Sequence, residues 1–195
     1  VNQEVAKPDT VALLMAATSD TMQKKGLFFL AERQAFYLAL THDGLPVDVV
    51  GEEEIEQDGI LKNYSLLYVI DPNVRDATQR KIADWVKAGG TLYAGPGAAE
   101  WNEYNQPSTI LNEALGVKSR AMSTQQDWLK WASAFYGWQP VKFAYQQLDT
   151  LTADHALLGG KLSLPVWGVK LDVAPSTAKV MGMYGDGKPA LLLNK

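Results

Sequence analysis

The chain of 195 residues contains no cysteine and only two histidines. Disulfide staples and thiolate metal sites are therefore excluded, and His42 and His155 stand in neither HxxxH nor HxH spacing, so no histidine pair shares a metal ion. No run approaches the roughly 18 uninterrupted apolar residues of a membrane helix, because the longest candidates are cut by Lys, Glu or Asp. There is no dense Lys/Arg cluster, and 18 basic against 22 acidic residues leave a net charge of −4, which speaks against a phosphate-binding nucleic-acid surface. The phosphate-loop pattern GxxxxGK[ST] does not occur, and Gly95 and Gly97 lack the third glycine of a dinucleotide fingerprint, so no nucleotide cofactor is expected. A basic segment leading into an apolar one is missing behind Val1, and any export signal is expected to lie outside this sequence. The absence of thiols tilts the compartment toward the periplasmic or extracellular side.

What is present is an ordinary globular balance, 47% apolar and 21% charged. At this length roughly 70% of the unfolded chain's surface can be buried, enough for one sizeable core without staples. No fixed-period repeat, low-complexity tract or linker composition divides the chain, and a single domain over 1–195 is expected.

From Thr10 to Lys118 short apolar runs alternate with longer amphipathic ones, the signature of a parallel α/β sheet. Val11 to Ala16, Val47 to Val50, Ser65 to Ile70 and Thr91 to Ala94 read as strands. Between them, Leu27 to Thr41 spaces Leu27, Leu30, Ala31, Ala35 or Phe36, and Leu38 or Ala39 for burial on one helix face, with Glu32, Arg33 and Gln34 outward. Asp76 to Ala88 puts Ile82, Trp85 and Val86 opposite Arg80, Lys81, Asp84 and Lys87, and Gly89 and Gly90 stop it. A further helix is expected around Ser108 to Leu115. Beyond Lys118 the pattern changes. Seven of the eighteen residues from Trp128 to Tyr145 are aromatic, which reads as an insertion or cap whose Trp128 and Trp131, three apart, suit burial or a subunit contact more than a ligand platform. Leu162 to Val173 alternates as a strand, and Ala178 to Tyr184 with Pro189 to Leu193 forms a hairpin around Gly185, Asp186, Gly187 and Lys188. The chain stops just after that apolar strand, so an excerpt of a longer protein is expected.

Open α/β sheets place ligands outside the carboxyl ends of their strands. The residues expected there are Ser19, Asp20, Asp71, Asn73, Pro96, Gly97, Glu100, Trp101 and Glu103. Ser19 is the one hydroxyl at such a strand end with a carboxylate beside it, yet no histidine is placed to activate it, and capping the helix that follows is the better assignment. The run Glu52, Glu53, Glu54, Glu56 and Asp58 lacks the alternation of a calcium loop and suits the solvated start of a helix, whose dipole favours carboxylates.

The segment from Asp43 to Ala99, with GLPVDVV entering an acidic helix, LKNYSLLYV as third strand and WVKAGGTLYAGPGAA as helix, double glycine and fourth strand, resembles the class I glutamine amidotransferase-like fold. It is most similar to the version that forms the trimerisation domain of family 42 β-galactosidases, and AKVMGMYGDGKPALLLNK is similar to that group's terminal hairpin. The resemblance covers about half of the chain and implies a three-layer flavodoxin-like sheet. In active amidotransferases the elbow after the fourth strand carries a cysteine. Here it reads Gly95, Pro96 and Gly97, none of which can attack an amide, so hydrolysis of glutamine by that mechanism is excluded.

The expected role is a non-catalytic accessory or assembly domain of a carbohydrate-related protein, acting through protein contacts or self-association, with no catalytic residue, metal or cofactor. The alternative from another class is a hydrolase or sugar-binding domain with a carbohydrate ligand in the crevice named above, where paired carboxylates could act as acid and base if their environments separated their pKa values.

Overall fold

The structure, a computed structural model, describes residues 11–22, 28–57, 59–123, 147–167 and 170–195. Contacts gather into two units, Val1–Ala114 and Leu115–Lys195.

The first unit is built on a four-stranded parallel sheet in the order β2-β1-β3-β4, from β1 (Val11–Met15), β2 (Val47–Gly51), β3 (Leu66–Val69) and β4 (Thr91–Ala94). The four strands are those read from the sequence, and each is short and apolar because both faces are covered. Leu13 aligns with Val49 on one side and Tyr68 on the other, and Tyr68 aligns with Tyr93, so these four side chains share a face. Ala12, Leu14, Leu67 and Val69 alternate to the other face, where they are fully buried.

Right-handed crossovers decide where the helices go. The β1 to β2 step runs one way along the sheet and the β3 to β4 step runs the other, so α2 (Phe28–His42) and α4 (Asp76–Lys87) fall on opposite faces. The short α3 (Glu52–Glu56), in the step from β2 to β3, lies with α4. Phe36 of α2 stacks 5.7 Å from Tyr68 and 5.3 Å from Tyr93, which are 5.1 Å from each other, within the range favoured by tilted aromatic pairs. Phe29 and Leu40 complete the buried stripe of α2, whereas Ala31, Ala35, Leu38 and Ala39, expected in the core, face solvent. The helix is rotated from the expected setting because Glu32 and Arg33 turn inward, for reasons given below. On α4, Ile82 is fully buried and the charged face is outward as read.

Two further expectations need correction. Residues 110–116 form successive turns rather than a helix. Asn112 donates to the Thr109 carbonyl in a three-residue step, and the Ser108 hydroxyl is bonded to Gln79. The run from Leu162 to Val173 contains two strands that belong to different sheets, β7 (Gly160–Trp167) and β8 (Lys170–Pro175). The aromatic stretch 128–145 lies outside the described residues.

In the second unit β5 (Val117–Ser123) pairs antiparallel with β8, while β6 (Gln147–His155), β7, β9 (Lys179–Tyr184) and β10 (Pro189–Leu193) form an antiparallel sheet in the order β10-β9-β6-β7. The β9–β10 hairpin turns at the expected residues, with Gly187 in the left-handed region and its amide donating to Tyr184. Lys170 of β8 reaches Asp149 of β6 and Asp186 of the hairpin turn, and its ammonium sits 4.6 Å from the Tyr184 ring centre. Among the described residues no helix is long and apolar enough to cross a membrane.

Gly116 shows how tightly this unit is drawn together. Its carbonyl accepts three consecutive amides, from Ser176, Thr177 and Ala178, and it adopts φ +65°. A Cβ there would meet Asn194 at 2.5 Å and the Ala178 nitrogen at 2.7 Å. Replacing Gly116 by Ala is therefore expected to cost about 1–3 kcal/mol, read as a lower urea midpoint; an unchanged midpoint would show that this junction gives way freely.

Candidate functional site at the carboxyl ends of the strands

In the order β2-β1-β3-β4 the connections leave β1 and β3 in opposite directions, so the topological switch point lies between these two strands. Immediately beyond β3 stands Asp71, with no exposed surface. One carboxyl oxygen accepts the Ala16 amide at the end of β1 at 3.2 Å, and the other accepts Arg33 of α2 at 2.7 Å. The Asp71 carbonyl accepts the Ala99 amide at 2.7 Å from the loop after β4. A single residue thus ties together β1, α2, β3 and the fourth strand's exit. Burial pushes the Asp71 carboxyl up to about 7, against the lowering by Arg33 and the Ala16 amide. Arg33 also bonds Asp20, at 3.0 Å, in the short helix α1 (Ala17–Met22).

Ser19 lies inside α1 rather than at its cap. Its hydroxyl donates to the Asn73 carbonyl and accepts the Asn73 amide, both at 2.8 Å. This reciprocal pair closes the gap between the ends of β1 and β3 and orients the hydroxyl toward a carbonyl, which cannot take its proton. Asn73, also without exposed surface, sends its side-chain amide hydrogens to Asn102 and Asn105, and its Oδ1 has no partner among the described residues.

A second buried carboxylate repeats the device one strand away. Glu52, 1% exposed, follows β2 directly. Its Oε2 accepts the Thr18 amide at 3.0 Å and the Thr18 hydroxyl at 2.7 Å, and its Oε1 accepts the Arg75 amide at 2.8 Å. Glu52 is therefore not part of a solvated helix start. Its neighbours Glu53 and Glu54 keep that description, Asp58 lies outside the described residues, and Glu53 and Glu56 flank the Arg75 guanidinium at 2.5 and 3.3 Å. Glu103 accepts the Asp76 amide at 2.9 Å and so covers the first turn of α4.

The elbow after β4 holds no nucleophile. Gly95 donates to the Val69 carbonyl, Gly97 has φ +78°, and a Cβ on Gly95 would lie 3.2 Å from Ile70 and 3.7 Å from a carboxyl oxygen of Glu32. Glu32 has no hydrogen bond among the described residues, and burial pushes its carboxyl up to about 7. Burial, with Glu32 and Tyr68 beside it, pushes the Tyr93 hydroxyl up to about 12.

Of the residues named from the sequence, Ser19, Asp20, Asp71 and Asn73 do converge between β1 and β3. Glu100 and Trp101 flank them through the loop that bridges back to Pro72, Asn73 and Val74, with the Trp101 amide donating to Pro72 and the Val74 amide to Trp101. Pro96 and Gly97 sit in the turn after β4. Glu103 belongs to the start of α4. The sequence reading missed Glu32, Arg33 and Glu52, all placed on outer faces, as well as Asn102 and Asn105. Among the described residues no three His, Asp or Glu side chains are arranged to hold a metal ion.

No family model and no curated protein matches this sequence. Solved structures do. A β-galactosidase from Rahnella sp. R3 superposes with a TM-score of 0.72 at 20% identity, over 94% of this chain and 26% of that one. A catalytic mutant of Gan42B, a GH42 β-galactosidase from G. stearothermophilus, gives 0.63 at 19% identity over 96% and 26%. The β-galactosidase from Bacillus circulans sp. alkalophilus gives 0.63 at 17% identity over 95% and 26%. The likeness is one of fold, and the chain spans about a quarter of the length of each of these enzymes. It agrees with the α/β class and with the β-galactosidase-domain resemblance drawn from Asp43 to Ala99.

Two outcomes follow from the buried acids. Glu32 binds its proton more tightly in the folded chain than its ordinary 4.5, so its contribution to stability is fully present below about 4.5 and is lost as the pH rises toward 7. Glu32→Gln should remove about 2 kcal/mol of that decline between pH 5 and 8, measured by urea unfolding; parallel curves for the two proteins would rule the assignment out. Glu52→Gln turns an N–H toward the Thr18 donors or the Arg75 amide, and a loss of about 3 kcal/mol is expected, seen as a drop in Tm. A Tm equal to that of the parent would mean that the three bonds contribute little.

Proposed function

We propose that this chain is a non-catalytic assembly or accessory domain of a larger carbohydrate-processing protein. The observation that carries the reading is the state of the crevice between β1 and β3. The Ser19 hydroxyl, both oxygens of Asp71 and the Asn73 backbone are engaged with one another or with Ala16 and Arg33, so the groups that would attack or bind a substrate instead join strand ends. The glycine elbow supports the same reading, since a fold whose attacking group stands on that corner has nothing there. Support for the carbohydrate context comes from the β-galactosidases that share the fold, of which a domain like this one forms about a quarter. Within such a protein the domain's contribution is contact: between copies of itself, or between itself and the rest of the chain.

Sedimentation velocity of the purified chain over about a hundredfold range of concentration tests this, run beside assays for ammonia release from glutamine and for glycoside cleavage. Concentration-dependent association with no turnover is expected. A strictly monomeric protein that releases ammonia or cleaves a glycoside would overturn the reading.

A further inference from the structure

Glu32 stands on α2 one turn before Phe36, a rise of about 6 Å, and so shares the stripe of the helix that faces β3 and β4. On those strands Tyr68 and Tyr93 lie side by side, their rings 5.1 Å apart and 5.7 and 5.3 Å from that of Phe36. Ile70 and Gly95 follow them two positions on. Because Gly95 has no side chain, the Glu32 carboxyl comes down over its backbone, where a Cβ would lie 3.7 Å from Oε1.

A carboxyl and two phenol hydroxyls are thus gathered beside three rings. None of the three makes a hydrogen bond among the described residues, and the four side chains, with that of Phe36, are half-buried. Their proximity is felt at Tyr93, whose hydroxyl is pushed up to about 12 by burial first and then by Glu32 and Tyr68.

Among the described residues no cation answers the carboxyl. Arg33, its neighbour in sequence, is held by Asp71 and Asp20 and lies over the Phe29 ring. The titratable groups that β3 and β4 bring to this face are the two tyrosines, and neither strand nor the elbow from 95 to 99 contains Lys, Arg or His. A carboxylate withdrawn from water without a partner is costly, and a ligand that brings both charge and hydrogen-bond donors relieves the cost. A primary ammonium brings both. Its three N–H donors match a carboxylate and two phenol oxygens, and its charge is drawn to ring faces. A neutral polyol supplies donors without the charge.

We propose that Glu32, Tyr68 and Tyr93 form a binding site for a small primary amine, with the ammonium on the Glu32 carboxylate and the apolar body of the amine against the aromatic rings. The site is separate from any contact between copies of the chain. Benzylammonium titrated into the 195-residue chain, followed through the NMR signals of the tyrosine rings, tests it, with benzyl alcohol as an uncharged probe of the same shape. The Tyr68 and Tyr93 signals are expected to move with benzylammonium, and benzyl alcohol to bind at least tenfold more weakly. An amine of this kind stays protonated from pH 6 to 8, whereas Glu32, pushed up to about 7, gains most of its charge across that range. Affinity should therefore rise about tenfold from pH 6 to 8. Glu32→Gln keeps the size of the side chain and buries no charge at pH 8, so it should fold as the parent does, bind at least tenfold more weakly there and lose the pH dependence. Tyr93→Phe keeps the ring and should weaken binding less. Ring signals that do not move, equal affinity for benzyl alcohol, or binding that Glu32→Gln leaves intact would each overturn the site and leave the assembly reading standing.

Discussion

A buried carboxylate at the strand ends is the constraint on which the first unit depends. A parallel sheet leaves the carbonyls and amides at its carboxyl edge without ladder partners, and each crossover begins there by abandoning the sheet's hydrogen bonding. Asp71 answers the amide of Ala16 and the guanidinium of Arg33 with its side chain, and the amide of Ala99 with its carbonyl. Glu52 does the same for Thr18 and Arg75. With two acids, the exits of all four strands are referred to common points. Removing a buried charge of this kind leaves its partners unsatisfied, which costs more than the ion pair itself contributes.

The same constraint decides what the carboxyl edge can do chemically. A catalytic crevice needs polar groups that face outward and are free to bond a substrate. Here the hydroxyl of Ser19 and the amide of Asn73 face each other, and the guanidinium of Arg33 lies across Asp71 and Asp20. The acidic pKa values pushed toward 7 at Asp71 and Glu32 would elsewhere suggest acid–base work. At Asp71 the cause is complete burial within a filled hydrogen-bond set; at Glu32 it is proximity to Ile70, Gly95 and the aromatic trio of Phe36, Tyr68 and Tyr93. Both shifts arise first from burial.

The parts of this arrangement that depend on period were legible in the sequence. Val11 to Ala16, Ser65 to Ile70 and Thr91 to Ala94 read as strands because a strand covered on both faces is a short continuous apolar run, and α4 was legible because Ile82 and its outward charges keep a clean helical period. The inward turn of Glu32, Arg33 and Glu52 was not legible. FFLAERQAFYLALTH is apolar nearly all round, so its period does not say which face packs, and the only residues that settle the matter are two charged ones that look like surface. In EEEIE four carboxylates are equivalent by composition, and only the position directly after β2 puts Glu52 within reach of Thr18 and Arg75. Ser19, Asp71 and Asn73 were found because turn-forming residues at strand ends are visible locally, but their partners lie 54 or 55 positions away in sequence.

A fold that carries an attacking side chain on the corner after its fourth strand must keep that corner strained and its surroundings open. Once the corner is glycine, neither demand remains, and the space can be taken by neighbouring side chains. Glu32 and Ile70 now stand where a Cβ on Gly95 would point. Among the described residues, Ala99 at φ +48° and Asn105 at φ +58° are the non-glycine residues in the left-handed region. Ala99 is fully buried and anchored to the Asp71 carbonyl, so its unusual backbone joins the loop to the sheet. Asn105 shapes the tip that presents Tyr104.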